Sequence, residues 1–319
     1  MSDYLIAISA VGLIFVLMGL GLNLQWGHAG LLNFGQVGFF AIGAYTYALL
    51  ALHGIPLAVA VIAAAVTSSI AAAIIGRATI KMKEDYLAIV TLVLAEIIQL
   101  VATNSGWTGG PSGLPGVPAP FTNRAGRPSQ TAQLLLLVVI VIAAIFFLHR
   151  LTSSSFGLTL QAIRDDELSA EASGSNVAAF RIKSLVAGAA LAGVAGAFYA
   201  MYVLFVVPDQ FDAIVTFYAW VGIIIGGSSH YGAAIGTFIF VALEESTRFL
   251  SDIGLNVSDA QIARLRLLVI GLALILLLRF RPQGLFAYRR RLPKEVREVI
   301  SPVSEPSPPA RVVGEAGAP

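Results

Sequence analysis

Between Asp3 and Arg77 the chain carries no Asp, Glu, Lys or Arg. Residues 4–76 therefore form an apolar stretch long enough for about three helical membrane crossings, at roughly 20 residues each. Beyond it, apolar runs alternate with polar breaks, and the pattern predicts spans near 5–24, 37–52, 57–76, 86–103, 133–149, 185–207, 213–226, 233–250 and 265–280. A soluble domain needs charge on its solvent face, because otherwise a large apolar patch is left exposed. The expected fold is all-α: a polytopic membrane helical bundle of about 8–10 transmembrane helices, broken or re-entrant segments included.

Two runs, 37–52 and 213–226, are short for a crossing, and each lies beside a glycine-rich stretch, Gly27-His28-Ala29-Gly30 and Gly226-Gly227-Ser228-Ser229. Such segments suit broken or re-entrant helices, whose irregular backbone must be satisfied by protein or water at depth. A tilted ordinary helix with a tight turn suits them equally. Gly188, Ala189, Ala192, Gly193, Gly196 and Ala197 share one helix face, and Gly232 and Gly236 form a second small pair. Both patterns predict close helix–helix approach.

Polar segments complete the layout. Residues 104–132 are expected as the main outer loop and 150–184 as the main inner loop, helical around Leu160–Ala172. Residues 1–291 are expected to form the membrane domain, and 292–319, with six of the 14 prolines, read as a disordered tail. Nine spans with the C-terminus inside leave only Arg124, Arg127, Arg248, Arg264 and Arg266 outside, so 15 of the 20 basic residues face the cytosol. Met1-Ser2-Asp3-Tyr4 lacks the basic start of a cleavable signal peptide, so the first apolar run is expected to stay as a span.

Composition narrows the chemistry. Hydrophobic residues make up 57% and charged residues 12%, with a mean hydropathy of +0.83. A net charge of +2 gives no reason to expect nucleic acid. Cysteine is absent, which removes disulfides, thiolate metal sites and thiol catalysis. His28, His53, His149 and His230 show no helical metal-site spacing, and no phosphate loop or nucleophile elbow occurs. Neither catalysis nor a bound cofactor or metal is expected, and the chain is not expected to bind ATP by itself.

Glu96 is the acidic residue well inside a span. Its burial costs on the order of 3 kcal/mol, so it should face protein or water, either as a proton site or as a packing hydrogen bond. Glu244 and Arg248 are spaced for a local ion pair. In the inner loop, Gln161-Ala162-Ile163-Arg164-Asp165-Asp166-Glu167-Leu168-Ser169-Ala170-Glu171-Ala172 is amphipathic. Its acidic run suits a docking surface or a solvated linker helix.

The stretch Gly21-Leu22-Asn23-Leu24-Gln25-Trp26-Gly27-His28-Ala29-Gly30-Leu31-Leu32-Asn33-Phe34-Gly35-Gln36 resembles the N-terminal signature of LivM-type permeases, the membrane subunits of branched-chain amino acid ABC importers. Asp85–Leu92, Thr108–Leu114, Ala162–Glu167 and Phe280–Leu285 resemble later motifs of that family in the same order. The resemblance covers about residues 15–288. It implies a multi-pass subunit of a prokaryotic inner membrane, in contact with lipid, a second related permease, two cytosolic ABC ATPases and an extracytoplasmic solute-binding protein. It also implies that the inner helix seats on the ATPase through Arg164, Asp165, Asp166, Glu167 and Glu171. Candidate path residues are Asn23, Gln25, His28, Asn33, Gln36, Tyr45, Thr46 and Glu96. Where members of the family often have Ser or Asp, and then His, this chain has Asn33 and Gln36. Its second glycine turn runs into Ser228-Ser229-His230-Tyr231 in place of Gly-Leu-Gly. Branched-chain or other apolar amino acids are the expected substrates. A permease for urea or short amides, a stand-alone secondary transporter or channel using Glu96, and a membrane interaction protein are the alternatives.

Overall fold

An apolar chain with no water to bond its peptide groups must close its hydrogen bonds within itself, and here it does so as helices. The computed structural model describes residues 2–79, 82, 84–121, 129–252, 271 and 279, the side chains of 2, 3, 84, 85 and 246–252 excepted. These lie in one compact unit, Met1–Ala287. Lys81, Lys83, Arg124, Arg127, Arg264, Arg266, nearly all of the expected span 265–280, the cluster 289–291 and the segment 292–319 fall outside the described residues, as does the Arg248 side chain.

The helices are α1 (Ser2–Asn23), α2 (Gln36–Leu52), α3 (Leu57–Thr79), α4 (Glu84–Asn104), α5 (Gln130–Thr152), α6 (Ser155–Asp165), α7 (Glu167–Ala172), α8 (Val177–Val203), α9 (Ile214–Gly226) and α10 (His230–Asp252). A π-helical turn, Leu24–His28, ends α1. Among the described residues five helices are long and apolar enough to cross a membrane: Tyr4–His28, Leu57–Thr79, Tyr86–Asn104, Gln130–Thr152 and Val177–Val203. The spans expected at 37–52, 213–226 and 233–250 fall on α2, α9 and α10. The only non-helical pairing among the described residues is a two-stranded ladder, β1 (Leu114–Pro115) with β2 (Phe205–Val206).

Two boundaries differ from the sequence expectation for local reasons. The span expected from 185 begins at Val177, because the Asn176 side chain accepts from the Ala179 N–H at 3.0 Å and starts the helix early. The inner helix is cut in two at Asp166, whose extended backbone leaves α6 and whose carboxylate caps α7.

Helix α8 is central, packed on α1, α2 and α3. Its small face does what the spacing predicts: a Cβ on Gly43 of α2 would lie 2.2 Å from the Gly193 carbonyl oxygen, and one on Gly196 would lie 2.0 Å from that of Phe40. The second small pair works likewise, with Gly226 against the Gly232 carbonyl and Gly236 against that of Gly222. Helix α3 shows the membrane pattern along its length. Ala60, Ala64, Ser68, Ala72 and Gly76 face inward, while Val59, Ile62, Val66, Ile70 and Ile74 face out. Bulk goes to the hydrocarbon, and small residues go where another backbone must come close.

Candidate functional site

Between α1 and α2 the chain runs irregularly from Ala29 to Gly35, packed inside the bundle. Every peptide group there needs a partner, because hydrocarbon supplies none. Polar side chains meet the demand. Phe34 N–H donates to Thr91 Oγ1 at 3.1 Å, Gly35 N–H to Asn33 Oδ1 at 2.8 Å and Val37 N–H to Thr216 Oγ1 at 3.0 Å. The Asn33 carbonyl accepts from Trp220 Nε1 at 3.1 Å, and Leu31 N–H donates to the Gln25 carbonyl at 2.9 Å. The first of the two short elements is thus a broken helix whose break is tied by polar side chains from α4 and α9.

The signature residues form a buried polar knot around this break. Asn33 Nδ2 donates to Gln25 Oε1 at 2.8 Å and to Gln36 Oε1 at 3.0 Å. Gln25 and Gln36 in turn donate to the α8 carbonyls of Leu185 (3.2 Å) and Gly188 (3.1 Å). Asn23 Nδ2 donates to the Ser228 carbonyl at 3.2 Å and lies 3.4 Å from His230 Nδ1. The imidazoles of His28 and His230 stack, with centroids 4.6 Å apart and planes 7° from parallel. His230 Nε2 lies 3.0 Å from Thr152 Oγ1 at the end of α5. The knot therefore ties α1, α2, α5, α8 and the α9–α10 joint together at a single level.

Other expected path residues lie apart from the knot. Tyr45 and Thr46 line a cavity of about 240 Å³ between α2 and α4, with Trp107 and Thr108 also on its wall. Glu96 stands exposed on α4 in a groove of about 640 Å³ with Asp212, Ile214, Phe217, Tyr218 and Phe240. The structure thus brings together Asn23, Gln25, His28, Asn33 and Gln36, and leaves Tyr45, Thr46 and Glu96 elsewhere.

Against the knot sits the α6–α7 segment. Leu160 packs with Ala29, Leu31 and Leu87, and Ile163 packs with Ala170 and Val177. The five residues expected on a partner ATPase divide by direction. Arg164 donates through a guanidinium nitrogen to the Gly27 carbonyl, so its tip turns toward the bundle. Glu167 forms a bidentate pair with Arg181 of α8, at 2.8 and 3.0 Å. Asp166 accepts from Ser169 N–H (3.1 Å) and Ser169 Oγ (2.6 Å), and these bonds hold its carboxyl below the usual aspartate range. Asp165 and Glu171 are exposed. Leu168, 77% exposed at the tip of α7, was not among the expected residues. Its signal in the sequence is an apolar residue set inside an acidic run.

The comparisons with known proteins agree along most of the chain. A family model described as "Branched-chain amino acid transport system / permease component" matches residues 4–278. The high-affinity branched-chain amino acid transport system permease protein LivM of Salmonella typhimurium is 29% identical over 309 residues, covering 89% of this chain and 70% of its own length. The protein of the same name from Escherichia coli gives the same identity and coverage. A probable LivM of Methanocaldococcus jannaschii is 26% identical over 334 residues, covering 91% of this chain and 95% of its own. No solved structure matches.

Proposed function

This chain belongs to the family of branched-chain amino acid transport permease components, and we propose from that premise that it carries branched-chain or other apolar amino acids across an inner membrane as one subunit of a binding-protein-dependent ABC importer. A second related permease completes the path, two cytosolic ATPases drive it, and an extracytoplasmic binding protein delivers the solute. The chain itself hydrolyses nothing.

The observation that carries the coupling role is the α6–α7 segment. It projects Asp165, Leu168 and Glu171 outward while its inner side rests on the break between α1 and α2. An exposed leucine ringed by carboxylates suits a cleft on a partner protein better than a lipid surface, where anionic headgroups would repel the acids. Through such a seat, nucleotide binding on a partner can favour one of two packings of the bundle.

The path runs along the α4–α9 groove. A carboxylate exposed toward hydrocarbon at Glu96 would cost roughly 3 kcal/mol, so this side faces protein or water. By contrast, the outward rows of α3 and α5 (Leu135, Val139, Ile142, Phe146) are apolar throughout and suit lipid. The groove's aromatic and aliphatic walls would accept an apolar side chain, with Glu96 near enough to meet an ammonium group. Gln25, Asn33 and Gln36 spend their hydrogen bonds on one another, on the break and on α8, and the Asn23 amide nitrogen on the α9–α10 joint, which suits a scaffold beneath the path.

The test is uptake in proteoliposomes holding the chain with its ATPase and permease partners, with binding protein outside. Labelled leucine should accumulate only with ATP and binding protein, while labelled urea should not. Leucine uptake that follows pH or membrane potential without an ATPase, and that is lost in Glu96→Gln, would overturn the importer reading. Uptake of urea alone would overturn the substrate.

A further inference from the structure

The last carbonyls of a helix have no partner within it, and the end carries a partial negative charge. At the end of the first span one of these carbonyls, that of Gly27, is taken by Arg164 from the α6–α7 segment, 137 residues away in sequence. Two further contacts press the same elements together. Gly30 adopts φ +71°, and a Cβ there would lie 3.0 Å from Arg164 Cγ, so the absence of a side chain lets α6 lie flat on the turn. One helical turn earlier, Leu160 is fully buried against Ala29 and Leu31.

The contacted turn is not ordinary helix. Leu24–His28 is π-helical, a geometry that often marks functional positions because its wider winding weakens the hydrogen-bond ladder. Its side chains and carbonyls reach the rest of the bundle. Leu24 accepts from Ser184 and Gln25 donates to Leu185, both on α8. His28 stacks on His230 at the start of α10, and Asn23 just before the turn holds the Ser228 carbonyl in the α9–α10 joint. Trp26 meets Trp220 of α9 edge-on, with centroids 5.1 Å apart. Phe217, one turn before Trp220 on α9, lines the Glu96 groove.

We infer that Arg164 is a positioning residue: it pins the inner segment to the π-helical turn, so that movement of α6 is delivered to the α9–α10 joint and the groove wall. The inference rests on the reading of α6–α7 as the ATPase seat. Arg164 lies about two-fifths exposed at its side chain, with Asp165 3.8 Å away on the solvent side. It thus stands where the outward face of the segment and the membrane interior meet. A perturbation that separates drive from transport tests this coupling.

The experiment uses the full reconstituted importer and reads ATP hydrolysis and leucine uptake in the same vesicles. In a Trp107→Phe background, with the tryptophans of the partner subunits replaced by phenylalanine, the two that remain, Trp26 and Trp220, touch each other at the turn and report on it by fluorescence. With Arg164 in place, vanadate-trapped nucleotide should shift their emission. In Arg164→Ala, hydrolysis should persist, the shift should vanish, and uptake per ATP should fall at least about tenfold, with partial recovery in Arg164→Lys. Uptake per ATP within about twofold of the parent, with the shift intact, would overturn the inference. A parallel fall of hydrolysis and uptake, ratio unchanged, would overturn it as well and make Arg164 a simple brace. If Arg164→Ala fails to assemble, Arg164→Lys carries the same two readouts, since a lysine keeps the charge and lacks the planar fork. Absence of ATP-driven uptake in the parent would count against the proposed function instead.

Discussion

Replacing Glu167 should undock α7 more severely than replacing its partner, Arg181. The pair is lopsided: the Arg181 side chain is 7% exposed and that of Glu167 is 46% exposed. Removing one partner of a fully buried pair costs about 3–5 kcal/mol, because a charge is left stranded. Exposed pairs are worth about 0–1 kcal/mol. With water reaching one side only, and two charge-assisted hydrogen bonds to the 7%-exposed Arg181 lost, Glu167→Ala should cost roughly 2 kcal/mol, including a few tenths for the acid lost from the first turn of α7. Arg181→Met leaves a carboxylate that water can hydrate, and methionine fills the buried stem, so the cost should be below about 1 kcal/mol. The double variant has no buried cation to satisfy and should resemble Arg181→Met. Hydrogen exchange in nanodiscs measures this directly as local opening of the 168–172 amides. At about 1.36 kcal/mol per tenfold, Glu167→Ala should speed their exchange roughly 30-fold, while the double variant should return most of the protection. Equal effects from the two single variants, or a double variant equal to their sum, would refute the buried-cation reasoning.

Two further outcomes follow from the packing and the cap. Gly43→Ala puts a Cβ 2.2 Å from the Gly193 carbonyl, so α2 and α8 must part; resistance to SDS unfolding should drop by about 1–3 kcal/mol, whereas Gly106→Ala, with nothing within 4 Å, should be neutral. At Asp166 the folded carboxyl titrates below its ordinary range through bonds from Ser169, so its contribution is present above about pH 4 and is lost as pH falls through the lowered value. Protection of the Ser169 amide should therefore decline on acidification in the parent but not in Asp166→Asn, which caps without a charge; a decline in both would rule out the cap as its cause.

The membrane elements were legible because their signals are local. A charge-free run, a row of small residues four apart and a glycine pair each state their own neighbourhood, and α3, α8 and the α9–α10 packing answered to them. The inner loop was legible only in outline. Its amphipathic period continues through Asp166, yet that residue's carboxylate finds the Ser169 N–H and hydroxyl, and capping wins over helix continuation. The knot was legible as a list of polar residues and not as an arrangement. Asn23 and His230 meet across 207 positions, and Gln36 and Gly188 across 152. Nothing in the period of either segment announces such a partner. Hence the same residues that read as candidates for a path are found holding one another and the irregular backbone. Glu167 is half legible in the same way: it lies exposed in the acidic run, as the sequence suggests, but its carboxylate also pairs with the buried Arg181, which the run does not announce.

The distribution of small and polar contacts also bears on where a bundle like this can yield. Where backbones touch through Gly43, Gly193 and Gly196, there is no side chain to repack and no room to slide by fractions of an ångström. Helices α2 and α8 should therefore move together or not at all. The α9–α10 pair is locked in the same manner through Gly222, Gly226, Gly232 and Gly236. Where the end of α1 and the break meet the second block, the bonds are of another kind: Asn23 to Ser228, Val37 to Thr216, Trp220 to Asn33, and the imidazole stack. A hydrogen bond can be exchanged for another of similar strength after a shift, whereas an interlocked glycine contact must be broken outright. On the proposed coupling, displacement of α6 would be taken up at the polar knot, and the groove beside Glu96 lies on the wall formed by the second block.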